Sequence, residues 1–138
     1  MMRKNLEEII KPLSKEILIN ELKLAFFLRP TRIGNNEVYI FSAQECPNLM
    51  NEVGRLRELT FRDAGAGFGK KVDIDQYDTD GYTCKQLIVW DPINKEIIGG
   101  YRFNIFNDLK HKKLKDIPLL NKSLYDVSDN FVSDYIPY

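Results

Sequence analysis

The chain has 138 residues, with 20 basic and 20 acidic side chains and a formal net charge of zero. Hydrophobic residues make up 43% and charged residues 29%, a composition that suits one globular domain with one core. The charge balance argues against a nucleic-acid partner, which calls for a basic excess or a basic stripe.

The N-terminus, MMRKNLEEIIKPL, carries acids where a signal peptide needs an apolar core, and no apolar run is long enough to cross a bilayer. Asn5 is expected to cap a helical turn over NLEEIIK that Pro12 ends. Ser14 is expected to cap a second helix, SKEILINELKLA, with Ile17, Leu18, Leu22 and Ala25 near helical spacing. That helix reads as a packing element. Ile9, Ile10, Leu13, Ile17 and Leu18 opposite a charged side also suit contact with a membrane surface. Residues 24–28 form a short apolar run, and residues 29–36 a turn-rich connection. Residues 37–41, EVYIF, read as a strand.

Pro47 suits the first turn of the next helix, which runs to about Arg62 with Leu49, Val53, Leu56 and Thr60 on one face. The glycines at 65 and 67 stop it. Glu58 and Arg62 are expected as an exposed i,i+4 pair. Residues 67–82 read as a long acidic loop. KQLIVW at 85–90 and EIIGGYRFNIF at 96–106 read as two strands joined by a tight turn at 91–95. Two glycines inside the second strand point to a bulge or a close backbone approach. Plain alternation there groups Ile98, Gly100, Arg102 and Asn104 against Ile97, Gly99, Tyr101 and Phe103. Residues 107–120 read as a polar loop or short helix, and 123–138 mix strand-like and helical pieces.

Cys46 and Cys84 have neither metal-ligand spacing nor a disulfide framework, and read as reduced thiols of a cytoplasmic protein. His111 sits in the run Lys110, Lys112, Lys113, Lys115 and has no partner at catalytic spacing. That run reads as a solvated face, with contact to anionic lipid or an acidic carrier protein as the sharper reading.

The unusual charges lie between 53 and 103: Arg57 beside an apolar helix face, Asp73, Asp75 and Asp78 in the loop, and Arg102 inside a strand. Asp73, Asp75 and Asp78 do not follow a calcium-loop pattern. Three carboxylates this close need cations or protein bases, and Arg57 and Arg102 are the available ones. Two readings stand: a structural ion network pinning the loop to the sheet, or a site that holds an ammonium and helps remove its proton.

The ordered set Arg57-x-x-x-Phe61, Phe68, Asp75-Gln76-Tyr77-Asp78, QLIVWD at 86–91 and Gly99-Gly100-Tyr101-Arg102-Phe103 resembles two related groups. These are the bacterial ornithine-lipid and glycine-lipid N-acyltransferases, often labelled hemolysins, and the acyl-homoserine lactone synthases. Both share the GNAT N-acetyltransferase fold. The resemblance implies an α/β fold, a mostly antiparallel twisted sheet flanked by helices, with residues 1–36 a helical N-terminal segment and 37–138 the N-terminal half of the acyltransferase domain. It implies Asp75, Asp78, Arg57 and Arg102 as catalytic residues, and Phe61, Phe68, Tyr77 and Trp90 as substrate-binding residues. The usual aromatic at the Phe68 position is tryptophan.

The family's acyl-donor turn, Gln/Arg-x-x-Gly-x-Gly/Ala between a strand and a helix, is matched only by residues 62–67, which end a helix and open a loop. The chain therefore reads as an N-terminal half. The implied reaction moves a fatty acyl group from acyl carrier protein or a CoA thioester to the amine of a small amino acid in aminolipid synthesis, with no bound cofactor and no metal. Its implied partners are acyl carrier protein and the amino acid, with a membrane surface at the inner membrane and a second chain completing the fold left open. The alternatives are a non-catalytic half-domain that pairs with another chain, and an autoinducer synthase-like enzyme.

Overall fold

A computed structural model describes residues 5–79 and 84–104. The expectations for 80–83 and for 105–138, including the lysine run with His111, lie outside the described residues. The described elements are α1 (Lys15–Leu22), β1 (Phe26–Pro30), β2 (Glu37–Phe41), α2 (Pro47–Asp63), α3 (Gln76–Thr79), β3 (Lys85–Asp91) and β4 (Glu96–Phe103). The four strands form one antiparallel sheet in the order β1-β2-β3-β4.

Ser14 caps α1 as expected, its side chain accepting a bond from Ile17 N. The predicted turn over 5–11 is absent. A seven-residue helix ended by proline is too short to be stable alone. The segment instead runs beside the glycine loop, where Glu7 N donates to Gly69 O at 2.8 Å and Ile10 N to Lys71 O at 3.2 Å. α1 also ends earlier than predicted. Residues 26–30, expected inside the helical segment of 1–36, form the edge strand β1, because bulky aromatic side chains fit a pleated surface better than a helix. A turn links β1 to β2 through Thr31 N to Asn36 O at 2.9 Å, with Gly34 and Asn35 at positive φ.

The core lies between the sheet and the two long helices. Leu18 and Leu22 of α1 and Leu49, Met50 and Val53 of α2 pack on Phe41, Ile88 and Trp90. The N-terminus of α2 begins at Pro47 and its cap, Cys46, offers no side-chain acceptor. Glu21 of α1 supplies one from outside the helix, taking Leu49 N at 2.7 Å and Asn48 N at 3.1 Å. A carboxylate at the positive end of a helix satisfies orphan donors and the helix dipole together.

β4 departs from plain alternation. Trp90 pairs with Ile97 and Val89 with Gly99, so Ile98 has no partner and forms a bulge. The core face of β4 therefore carries Ile97, Gly100 and Arg102, opposite Trp90, Ile88 and Gln86. The predicted grouping of Ile97 with Gly99 is corrected by that extra residue.

Candidate functional site

α2 projects Arg57, and the loop after it folds back along the helix to bring acids to that side chain. Gly54 permits the approach. A β-carbon there would lie 2.6 Å from Ile74 Cγ1, and Asp73 N donates to Gly54 O at 3.0 Å. The same loop is anchored further up by Glu58. Expected as half of an exposed pair, Glu58 is instead fully buried, and it accepts from Phe68 N at 3.2 Å, Gly69 N at 2.8 Å and Arg62 Nε at 3.0 Å. The correction has a plain cause. Gly67 leaves no side chain where a β-carbon would meet Glu58 Oε1 at 2.8 Å, so the loop closes over the carboxylate.

Asp78, fully buried, is the hub of the acidic loop. Arg57 Nη1 lies 3.3 Å from both its oxygens, and Gln86 Nε2 donates to Oδ1 at 2.7 Å. Asp75 N donates to Oδ2 at 3.1 Å, and Arg102 Nη1 lies 3.4 Å from that oxygen. Arg57 Nη2 closes the ring by donating to Gln86 Oε1 at 2.6 Å. Arg102 Nη1 also donates to Asp75 Oδ1 at 2.7 Å, and its guanidinium stands 5.5 Å from the Tyr77 ring. α2, α3, β3 and β4 thus each place one polar side chain on a common centre, with Asp75 adding a second carboxylate from the loop.

The two carboxylates differ in access. The Asp75 side chain is 39% exposed and that of Asp78 1%. Burial pushes the Asp75 carboxyl upward, but the Arg102 hydrogen bond and charge overcome it and hold it below the usual range. Asp73 goes the other way. Burial raises it, nearby Asp75, Asp78 and Glu58 add to the rise, and the Arg57 charge only partly offsets them.

An apolar groove of about 360 Å³ lies between α2 and β4. Val53, Leu56, Thr60 and Phe61 form the helix wall, and Ile88, Ile97, Ile98, Gly99 and Gly100 the sheet wall. Arg57 also lines it, so the groove abuts the ion cluster through that one side chain. Gly100 shapes the sheet wall, since a β-carbon there would fall 2.5 Å from Leu87 O.

Of the residues singled out from sequence, the structure joins Arg57, Asp75, Tyr77, Asp78 and Arg102 in one cluster and puts Phe61 in the groove next to it. It does not bring Phe68 or Trp90 there. Phe68 is 66% exposed on the glycine loop. Trp90 is buried in the core, four residues and roughly 13 Å along β3 from Gln86. Sequence reading missed Gln86. Its signal was a neutral polar residue in the core-facing row Gln86, Ile88, Trp90.

The described residues thus form an α/β domain, an antiparallel sheet backed by helices, with an apolar groove that ends at an acid–arginine cluster. Residues 56–132 match the acetyltransferase (GNAT) domain family, and the chain belongs to it, contributing the N-terminal part of that fold. The chain is 46% identical over 132 residues to a glycine N(alpha)-acyltransferase of Bacteroides thetaiotaomicron, covering 96% of this chain and 39% of that protein. It is 44% identical over 133 residues to a glycine N(alpha)-acyltransferase of Phocaeicola vulgatus, covering 96% of this chain and 41% of that protein. The chain thus spans about two fifths of the length of these relatives. No solved structure matches it.

Proposed function

We propose that this chain forms the amine-side part of an N-acyltransferase that moves a fatty acyl group from a CoA or acyl carrier protein thioester to the amine of a small amino acid, in aminolipid synthesis. The observation that carries this reading is the position of Arg57, which lines the apolar groove and holds Asp78 in the same geometry. An acyl chain lying in the groove would bring its thioester toward the polar cluster. The names of the two relatives support an amino acid as acceptor.

The incoming ammonium first gives a proton to the Asp75 carboxylate or to water. The free amine then attacks the thioester carbonyl, the C–S bond breaks, and the thiolate takes the proton that the nitrogen releases and leaves as thiol, with no covalent acyl-enzyme. Of the two carboxylates bound to Arg102, Asp75 is the one able to meet an incoming ammonium, because part of its side chain stays exposed while Asp78 is enclosed. Asp78, Gln86 and Arg102 act as positioning groups, holding Asp75 and the walls of the site. Phe61 lines the acyl path.

The test is acyl transfer by the natural gene product containing this chain. Glycine and ornithine are offered with acyl-CoA or acyl carrier protein thioesters, and thiol release and the N-acyl product are followed. Product from either donor, cut at least tenfold by Asp75→Asn, is the expected result. Absence of product with every donor and acceptor pair overturns the reading, and an unchanged rate in Asp75→Asn overturns the role of Asp75.

A further inference from the structure

The opposite edge of the sheet carries a second apolar feature, unrelated to the groove. In the β1–β2 hairpin and its approach, Leu24 is 64% exposed, Phe26 64%, Leu28 45% and Ile33 89%. Large apolar side chains clustered in the open mark an interaction surface. Residues 23–36 carry Lys23, Arg29 and Arg32 and no acid, within a chain of zero net charge. Glu37 follows directly and pairs with Pro30, and Lys23 lies near it with Tyr39 and Trp90 on the helix-facing side, so the cations left for the hairpin's other face and tip are Arg29 and Arg32.

The backbone arranges these groups. Plain alternation would put Phe26 and Arg29 on opposite faces, since they are three residues apart. The register shift between Phe27 and Arg29 changes that. Phe26 pairs with Ile40 and Arg29 with Val38, and Ile40 and Val38 share a face of β2. Aromatic and cation thus project on one side. Ile33 is held at the tip in an ordered turn, where Thr31 Oγ1 donates to Ile33 O at 2.8 Å and Asn36 N donates to Thr31 Oγ1 at 3.1 Å.

We propose that this hairpin is a membrane-contact surface that seats on anionic phospholipid headgroups, with Phe26, Leu28 and Ile33 entering the acyl boundary and Arg29 and Arg32 on the phosphates. Apolar side chains next to long cationic ones suit that boundary, where the cations reach outward to phosphate. A second copy, or another protein's strand, fits less well. A five-residue edge carrying a bulge, an arginine and Pro30 is guarded against strand addition. The surface is independent of the acyl-transfer reading, since it sits at the β1 edge while the groove lies against β4.

The experiment is co-sedimentation of the full chain with phosphatidylcholine vesicles, with and without phosphatidylglycerol. Two variants are compared with wild type, Arg29→Gln/Arg32→Gln and Phe26→Ser/Ile33→Ser, so that any contribution from the distal lysine run stays constant. Wild type is expected to prefer the anionic vesicles and to release them as salt rises. The arginine pair should weaken binding by tenfold or more, at about fivefold per cation near an anionic surface. The apolar pair should lower it at all salt concentrations while the urea midpoint stays unchanged. Equal binding by wild type and both variants overturns the proposal. So does a dimer in sedimentation velocity that the apolar pair dissolves, which would assign the patch to a second copy. So does a large loss of stability in the apolar pair, which would assign those side chains to the protein's own interior.

Discussion

Arg57 reaches 21 residues along the chain to Asp78 and sets its Nη1 3.3 Å from both carboxylate oxygens. That one ion pair ties α2 to the loop bearing α3, and Gln86 locks it to β3 from the other side. The arrangement matters because Asp78 is enclosed, and an enclosed carboxylate is tolerated only when its charge and lone pairs are matched.

Removing Asp78 should therefore be costly. Asp78→Ala leaves Arg57 and the Gln86 amide facing a vacated pocket, and a loss of about 3–5 kcal/mol is expected. Urea unfolding with an unchanged slope measures it. Gln86→Ala should cost less, about 1–3 kcal/mol, since it removes a neutral partner.

Acid should loosen the loop. Burial alone would raise the Glu58 carboxyl, but Arg62 and the Gly69 and Phe68 amides outweigh it, and the group sits below its usual value. Asp75 is lowered likewise by Arg102. The unfolded chain then takes up protons at higher pH than the native one, near the ordinary values of about 4.3 for Glu and 3.9 for Asp. Stability from these groups is full above that range and drains as pH falls through the lower native values. Urea midpoints between neutral and acid pH should fall below about pH 5, and Glu58→Gln should flatten that fall while lowering the neutral plateau.

Two adjacent glycines should respond differently. Gly100→Ala drives a β-carbon to 2.5 Å from Leu87 O, a backbone atom that cannot turn aside, so a loss of about 1–3 kcal/mol is expected. Gly99→Ala meets nothing within 4 Å and should stay within about 0.5 kcal/mol of wild type. Thermal midpoints of the pair separate them.

The thiol of Cys46 should be inert in the native state. Burial, with Glu21 and Glu45 nearby, pushes it up to about 12, and the thiolate is the reactive form. An alkylating reagent at mildly alkaline pH is expected to leave Cys46 unmodified until urea unfolds the chain, read by peptide mass.

Much of the architecture was legible because it rests on local rules. Ser14 before an apolar period, Pro47 at a helix start and the 91–95 turn between two strands each announced an element that the structure contains. The edge strand β1 was not legible. Five residues ending in arginine and proline carry no clean period, and only pairing with β2 makes them a strand.

The sequence alone determined which residue types had to find one another. Three acids in a short loop with two arginines on apolar elements must pair, because unmatched charges cannot be packed. It also determined the helix and strand that carry those arginines. Only the tertiary structure decided the pairing: Asp78 at the centre, Asp75 open to solvent, Gln86 as a partner, and Glu58 buried under the glycine loop. The bulge at Ile98 fixes which β4 side chains face α2, and Gly54 and Gly67 let the loop reach the helix. Charge and period act within a few residues of the chain. Burial and backbone approach join segments from 8 to 29 residues apart, and no local pattern records them.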